Sequence, residues 1–194
     1  MLRAALLTAV MVSLTAAGAL AQNIAIFAEI EGQVQGSISD GASQEDSIGE
    51  LANGSPQSNH PNKVFVLGYN DELERSVDPN TGNVAATQPF VPKPVTLLKP
   101  IDRTTPLLKK ALANIETLTI KVYFYQQNSR TGQFELLLTK EYTQCQVVEK
   151  KTIVLNQAEQ SHHDLPIMEE VSFTFKQLST THEKTGVSTS TQFQ

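Results

Sequence analysis

Apolar and polar positions alternate with a period of two over most of the chain. In Asn23–Glu31, Ile24, Ile26, Ala28 and Ile30 alternate with Ala25, Phe27 and Glu29, which is the signature of a strand. Lys63–Tyr69 reads as a second strand with a glycine near its end. Lys93–Lys99 reads as a third, and Pro92, Pro94 and Pro100 confine it to an edge or mark its ends. In Thr117–Tyr125, Leu118, Ile120, Val122 and Phe124 alternate with Thr and Lys or Tyr. Asn128–Gly132 is a hairpin turn, and Phe134, Leu136 and Leu138 continue the alternation on the returning strand. The chain stays extended through Glu141–Leu155, with a break expected near Glu149–Lys151. Val171, Phe173 and Phe175 alternate in the next strand, and Leu178–Glu183 is the last.

One stretch has helical spacing instead. Leu108, Ala111 and Leu112 share a face, with Lys109 and Lys110 turned outward. Thr104 and Thr105 are available as caps, Pro106 suits the first turn, and Asn114 is a stop. Seven to nine strands, one short helix and no β-α-β rhythm predict a mainly β fold. The expected architecture is an antiparallel β-barrel or sandwich with the helix packed on its side.

Five segments fall outside this pattern. Ser37–Asn62 is rich in Ser, Gly, Asn and Gln with few large apolar residues, and it reads as a polar insert and the best candidate for disorder. Asn70–Pro92 is a second long polar stretch, carrying the turn pentad Asp78-Pro79-Asn80-Thr81-Gly82. Asn156–Pro166 reads as a polar loop. The body of the domain is expected over residues 22–186, with 187–194 a flexible polar tail that has no core signal. At the start, Arg3 precedes an apolar run, and Ala19-Leu20-Ala21 offers small residues for cleavage. Residues 1–21 therefore read as a signal peptide cut after Ala21, which predicts an exported protein in the periplasm or outside the cell. The competing reading, an uncleaved anchor, has only a short span rich in Ala, Gly, Ser and Thr to work with.

Charge and composition narrow the function more than they name it. The chain has 20 acidic and 15 basic residues, a formal net charge of −5 and no long basic run, which argues against nucleic-acid binding. A single cysteine, Cys145, excludes an intrachain disulfide framework and reads as a half-buried small hydrophobe. His162-His163-Asp164 is the one cluster of metal-ligand types. Adjacent histidines on an extended chain point apart, so the cluster reads as a surface loop and no metal or other cofactor is expected. No Gly-x-Ser-x-Gly elbow or glycine-rich phosphate loop occurs, and no nucleophile-base pairing is recognisable. A non-enzymatic role is expected.

Specific strings carry a resemblance. Val77-Asp78-Pro79-Asn80-Thr81-Gly82, then Pro94–Lys99 followed by Ile101-Asp102-Arg103-Thr104-Thr105-Pro106-Leu107-Leu108, then Glu169–Lys176, then Thr181-His182-Glu183 with Gly186 beyond, stand in that order. Together with Ala28–Gly32 they resemble the haemolysin-coregulated protein (Hcp) family, the tube subunits of bacterial type VI secretion systems. The resemblance implies a structural subunit that assembles with itself into hexameric rings. It also implies rings stacked into a tube, and contacts with sheath, spike and effector proteins. It makes Asp78, Asn80, Gly82 and Gln88, in the stretch 70–92, candidates for a contact loop between rings or subunits. Two features depart from the family pattern: the signal peptide and the length of the 37–62 insert. They leave a second expectation, an exported β-domain of the same fold that binds other partners. No membrane contact is expected once the signal peptide is removed.

Overall fold

The computed structural model describes residues 24–54, 56–75, 77, 81–84, 92–156, 158–162 and 165–193. The proposed signal peptide lies outside them. Ten strands form one continuous hydrogen-bonded network, mainly antiparallel. β1 (Ile24–Gly32) is central: β6 (Leu118–Gln127) runs along one side from Ile24↔Gln126 to Gly32↔Leu118. β3 (Val64–Val66) and the two-residue β2 (Gly36–Ser37) pair along the other. β7 (Phe134–Ile153) is 20 residues long and serves both halves of the fold. Its first part lies between β6 and β9 (Gln177–His182), and its second part pairs with β8 (Met168–Thr174). β8 pairs with β5 (Val95–Pro100), and β5 with β4 (Gly68–Asn70).

The single strand expected at Lys63–Tyr69 is in fact two. Leu67 divides it, and its N–H donates to Leu98 O at 2.7 Å. β3 thus serves β1 while β4 serves β5, so one extended segment links the two ends of the strand order into a barrel-like sandwich. The break expected at Glu149–Lys151 is instead a bulge between Val147 and Glu149 inside a continuous strand.

The core is filled by the inward residues of both halves: Ala28, Ile30, Leu97, Ile120, Val122, Tyr142, Val171 and Phe173 are all buried. Helix α2 (Thr104–Ala113) packs on β7 and buries Leu108 and Ala111, while Leu112 is partly buried against the same core. A helix this short gains its stability from that contact rather than from propensity. Asp102 supplies the acceptor at the start of the helix, and one of the two threonines proposed for the cap, Thr105, answers it. Asp102 Oδ1 accepts the Thr104 N–H at 2.7 Å, and Thr105 Oγ1 in return accepts the Asp102 N–H at 3.2 Å.

Two expectations are corrected. The described residues of the insert at 37–62 carry a second helix, α1 (Glu45–Ile48), and two 3-10 turns, Gly49–Asn53 and Gln57–Asn59. Its polar residues are used internally. Ser39 Oγ accepts the Ile30 N–H at 3.1 Å, Asn62 Oδ1 accepts the Gly41 N–H at 3.1 Å, and Ser47 Oγ accepts the Arg103 N–H at 3.0 Å. His60 stacks between Phe27 and Tyr125, at 4.6 and 4.7 Å between ring centroids, and so covers the outer face of β1. The second correction is the tail. Val187–Gln192 is a strand, β10, paired with β9 over its whole length, and Phe193 is buried edge-on against Phe175 at 5.4 Å. One terminal aromatic therefore anchors an otherwise polar strand.

Candidate functional site

The residues proposed as a contact loop fall in the connection between β4 and β5, here called the arm, of which residues 71–75, 77, 81–84 and 92–93 are described. Asp78, Asn80 and Gln88 lie outside the described residues. Gly82 is described: it is exposed and its φ of +68° lies in the left-handed region, as its place in the turn requires. The described parts of the arm's two limbs meet at isolated bridges, Leu73↔Pro92 and Val77↔Val84. Leu73, Val77 and Val84 are exposed, so the arm presents apolar side chains to its surroundings.

What aims the arm is at its base. Asp71, its first residue, places Oδ2 2.5 Å from Lys140 Nζ and 3.1 Å from Tyr142 Oη, both on β7. Tyr69 and Tyr142 share a short hydroxyl–hydroxyl hydrogen bond, and Lys140 Nζ sits 5.4 Å from the centre of the Tyr69 ring. Burial first pushes both tyrosines well above the ordinary phenol range; Tyr142 and then Asp71 add to it at Tyr69, whereas at Tyr142 the hydrogen bond with Tyr69 opposes it and Asp71 adds to it, and both are neutral at physiological pH. On the returning limb, Lys93 pairs with Glu72 at 2.6 Å and with Glu74 at 3.1 Å, and its N–H donates to Glu72 O at 3.2 Å. Both limbs are therefore clipped where they leave the barrel.

A second charged cluster lies under the Ile101–Leu108 string. Lys99 is 1% exposed, and its three N–H bonds are met by Pro100 O at 2.9 Å, Asp102 Oδ1 at 2.8 Å and Glu169 Oε1 at 2.9 Å. Glu169 also accepts from Thr105 Oγ1 at 2.9 Å and pairs with Lys150. Two cations meet two carboxylates, so the buried group is neutral overall. Burial alone would raise the Glu169 pKa. The Lys99 charge and the hydrogen bonds from Lys150, Lys99 and Thr105 outweigh it and hold the carboxyl below the ordinary range. Asp102 thus serves both the helix cap and the ion pair. This cluster is structural: it orients α2 on the barrel and exposes no reactive group.

The other candidate chemistry is dispersed. Cys145 is fully buried, and burial, partly offset by a backbone hydrogen bond from Ile120, pushes its thiol up to about 12. His162 Nδ1 contacts Asn156 O at 3.0 Å at the end of a 3-10 turn, Gln160–His162, while His163 and Asp164 lie outside the described residues. Among the described residues no group of three or more His, Cys, Asp or Glu is placed to hold a metal ion, and no helix is long and apolar enough to cross a membrane.

The sequence reading missed both ion clusters. The arm latch joins residues 69 positions apart (Asp71 and Lys140), which no local pattern reports. The spacing Lys99-x-x-Asp102 was visible, but its partner Glu169 is far along the chain.

Comparison with known proteins agrees with this geometry. The family model described as "Type VI secretion system effector, Hcp" matches residues 28–182. The "Major exported protein" of Pseudomonas aeruginosa is 32% identical over 163 residues, covering 84% of this chain and 91% of that one. A crystal structure of an Hcp protein superposes with a TM-score of 0.81 at 27% identity, over 88% of this chain and 98% of the other. The secreted protein Hcp3 of Pseudomonas aeruginosa gives 0.69 at 28% identity, over 88% and 99%. With the matched segment running from β1 through β9, the chain belongs to the Hcp family of type VI secretion proteins.

Proposed function

We propose that this chain is a structural subunit of a type VI secretion inner tube, assembling into hexameric rings that stack and carry effector cargo. The observation that carries this reading is the family match from residue 28 to residue 182. The arm supports it: a long excursion with exposed apolar residues, fixed at its base by Asp71, Lys140 and Tyr142, is built to meet something beyond its own barrel. A ring needs heterologous contacts, in which one surface of each copy docks on a different surface of the next. In this reading the subunit works by fit and has no catalytic step. In this reading Asp78, Asn80, Gly82 and Gln88 make the contact with the neighbouring ring or subunit. Sheath, spike and effector proteins are its further partners.

The chain is exported in this reading, with residues 1–21 removed after Ala21 and residues 22–194 forming the working subunit. The relative named as an exported protein supports the destination. Light scattering on residues 22–194 and negative-stain microscopy test the assembly. Rings of six copies are expected, and a monomer at all micromolar concentrations overturns it. N-terminal sequencing of the protein from cell fractions tests the cleavage, with Gln22 the expected first residue.

A further inference from the structure

One concavity holds none of the residues of the two ion clusters. It measures about 450 Å³ and opens where the residue before β6, the bulged part of β7, the β8–β9 turn and the residue after β10 come together. That volume lies in the range that small-molecule ligands occupy. Its floor is aromatic: Phe175 and Phe193 are both buried, and their rings meet edge-on at 5.4 Å. Its rim is polar and carries Thr117, Gln144, Gln146 and Lys176.

The rim is unusual in what it leaves unpaired. Lys176 is exposed, and among the described residues its ammonium faces no carboxylate, whereas Lys93, Lys140 and Lys184 on the same surface are all paired. The side-chain amides of Gln144 and Gln146 likewise have no hydrogen-bond partner among the described residues. Gln144 is also strained. Between Leu118↔Cys145 and Ile120↔Tyr142, β7 carries one residue more than β6, and Gln144 in that bulge has a φ of +53°. A bulge residue in the left-handed region is ordinarily glycine, which has no Cβ to crowd the backbone. Here the position keeps a long amide side chain, and that side chain stands on the rim of the concavity.

We infer that this concavity is a binding site for a small organic anion, a carboxylate carried on a single aromatic ring. Charge selects the class. Lys176 is the sole ionisable side chain among the described residues that line the site, so the lining is positive in a chain whose net charge is −5. The carboxylate takes hydrogen bonds from Lys176 Nζ and the two glutamine amides, and the ring lies against Phe175 and Phe193. No bond is made or broken: the site holds its ligand. The inference stands apart from the ring reading and asks nothing of it.

The test uses residues 22–194 and two probes of one shape, 3-phenylpropionate and its neutral amide, 3-phenylpropionamide. Saturation-transfer NMR titrations read weak binding to a particle of any size. The carboxylate is expected to bind with a Kd of about 1 mM or below, and the amide at least about threefold more weakly. A parent chain that shows no saturable binding of the carboxylate up to about 10 mM overturns the inference. Lys176→Met changes an exposed side chain, so it should melt with the parent and bind both probes alike, within about twofold. A folded Lys176→Met that keeps the preference for the carboxylate overturns the inference. Gln144→Gly relieves the backbone, so it should melt at or above the parent's temperature while binding the carboxylate at least about fivefold more weakly. Parental affinity in that variant overturns the inference too. Should Gln144→Gly not fold, Gln146→Ala takes its place with the same expected loss and the same overturning result.

Discussion

Lys99 and Lys140 do the same chemistry at two depths. Each ammonium faces a carboxylate with a hydroxyl nearby: Asp102, Glu169 and Thr105 around the first, Asp71 and Tyr142 around the second. The side chain of Lys99 is 1% exposed and that of Lys140 is 18% exposed. Deep in the fold, each charge is tolerated only because its partners are all present, so the group behaves as one piece. At the base of the arm, water reaches the pair and can replace a lost partner at small cost. The first cluster holds α2 and the barrel together. The second can set the direction of a projecting segment without the whole fold depending on it.

The sharpest way to break this contrast is to remove each ammonium. Lys99→Met leaves Asp102 and Glu169 buried with fewer cations than carboxylates, and about 3–5 kcal/mol of stability should be lost, read by chemical denaturation. Lys99→Met combined with Glu169→Gln should recover part of that loss, because one stranded charge goes with its partner. A loss under about 1 kcal/mol for the single change would mean that the site behaves as a surface pair, and the distinction by depth would fail.

Acid probes the same cluster from the carboxylate side. The Glu169 pKa is lowered in the folded protein, against the opposing pull of burial, by Lys99, Lys150 and Thr105. Its contribution to stability is therefore complete above the unfolded carboxyl value of about 4.3 and is lost as pH falls through the lower folded value. Stability of the parent should drop over that acidic window, and the slope should be shallower in Glu169→Gln. Identical slopes would remove Glu169 from the set of groups that matter in acid.

How far these clusters could be read in advance follows from what periodicity reports. Alternation located the strands from Leu118 to Phe175 because each has one face on the core. It also marked Leu108 and Ala111, since helical spacing is equally local. It missed the order in the 37–62 insert, where Ser39, Ser47 and Asn62 are spent on backbone groups instead of solvent, so a polar composition looked like a loop. It missed β10 for a related reason. Every residue of that strand is exposed, and the only apolar anchor, Phe193, falls one residue beyond it. The string Ile101–Leu108 gave the family resemblance, yet the reason for its aspartate lay in Lys99 and Glu169, and Glu169 is brought there only by the pairing of β5 with β8.

Asp71→Asn carries the smallest effect on stability and the most specific one on assembly. The amide keeps an oxygen for Tyr142 but loses the charge that draws Lys140, so the fold should lose no more than about 1 kcal/mol. The arm, however, loses an ionic contact that joins its outgoing limb to β7, while the Lys93 pairs with Glu72 and Glu74 tie its limbs to each other. Rings should still form, because the barrel and its core are unchanged. Stacks of rings seen by microscopy should become shorter or disappear, and Lys140→Met should do the same. Tubes of parental length from both variants would show that the arm finds its direction without the latch, and that depth of burial does not divide the two clusters by role.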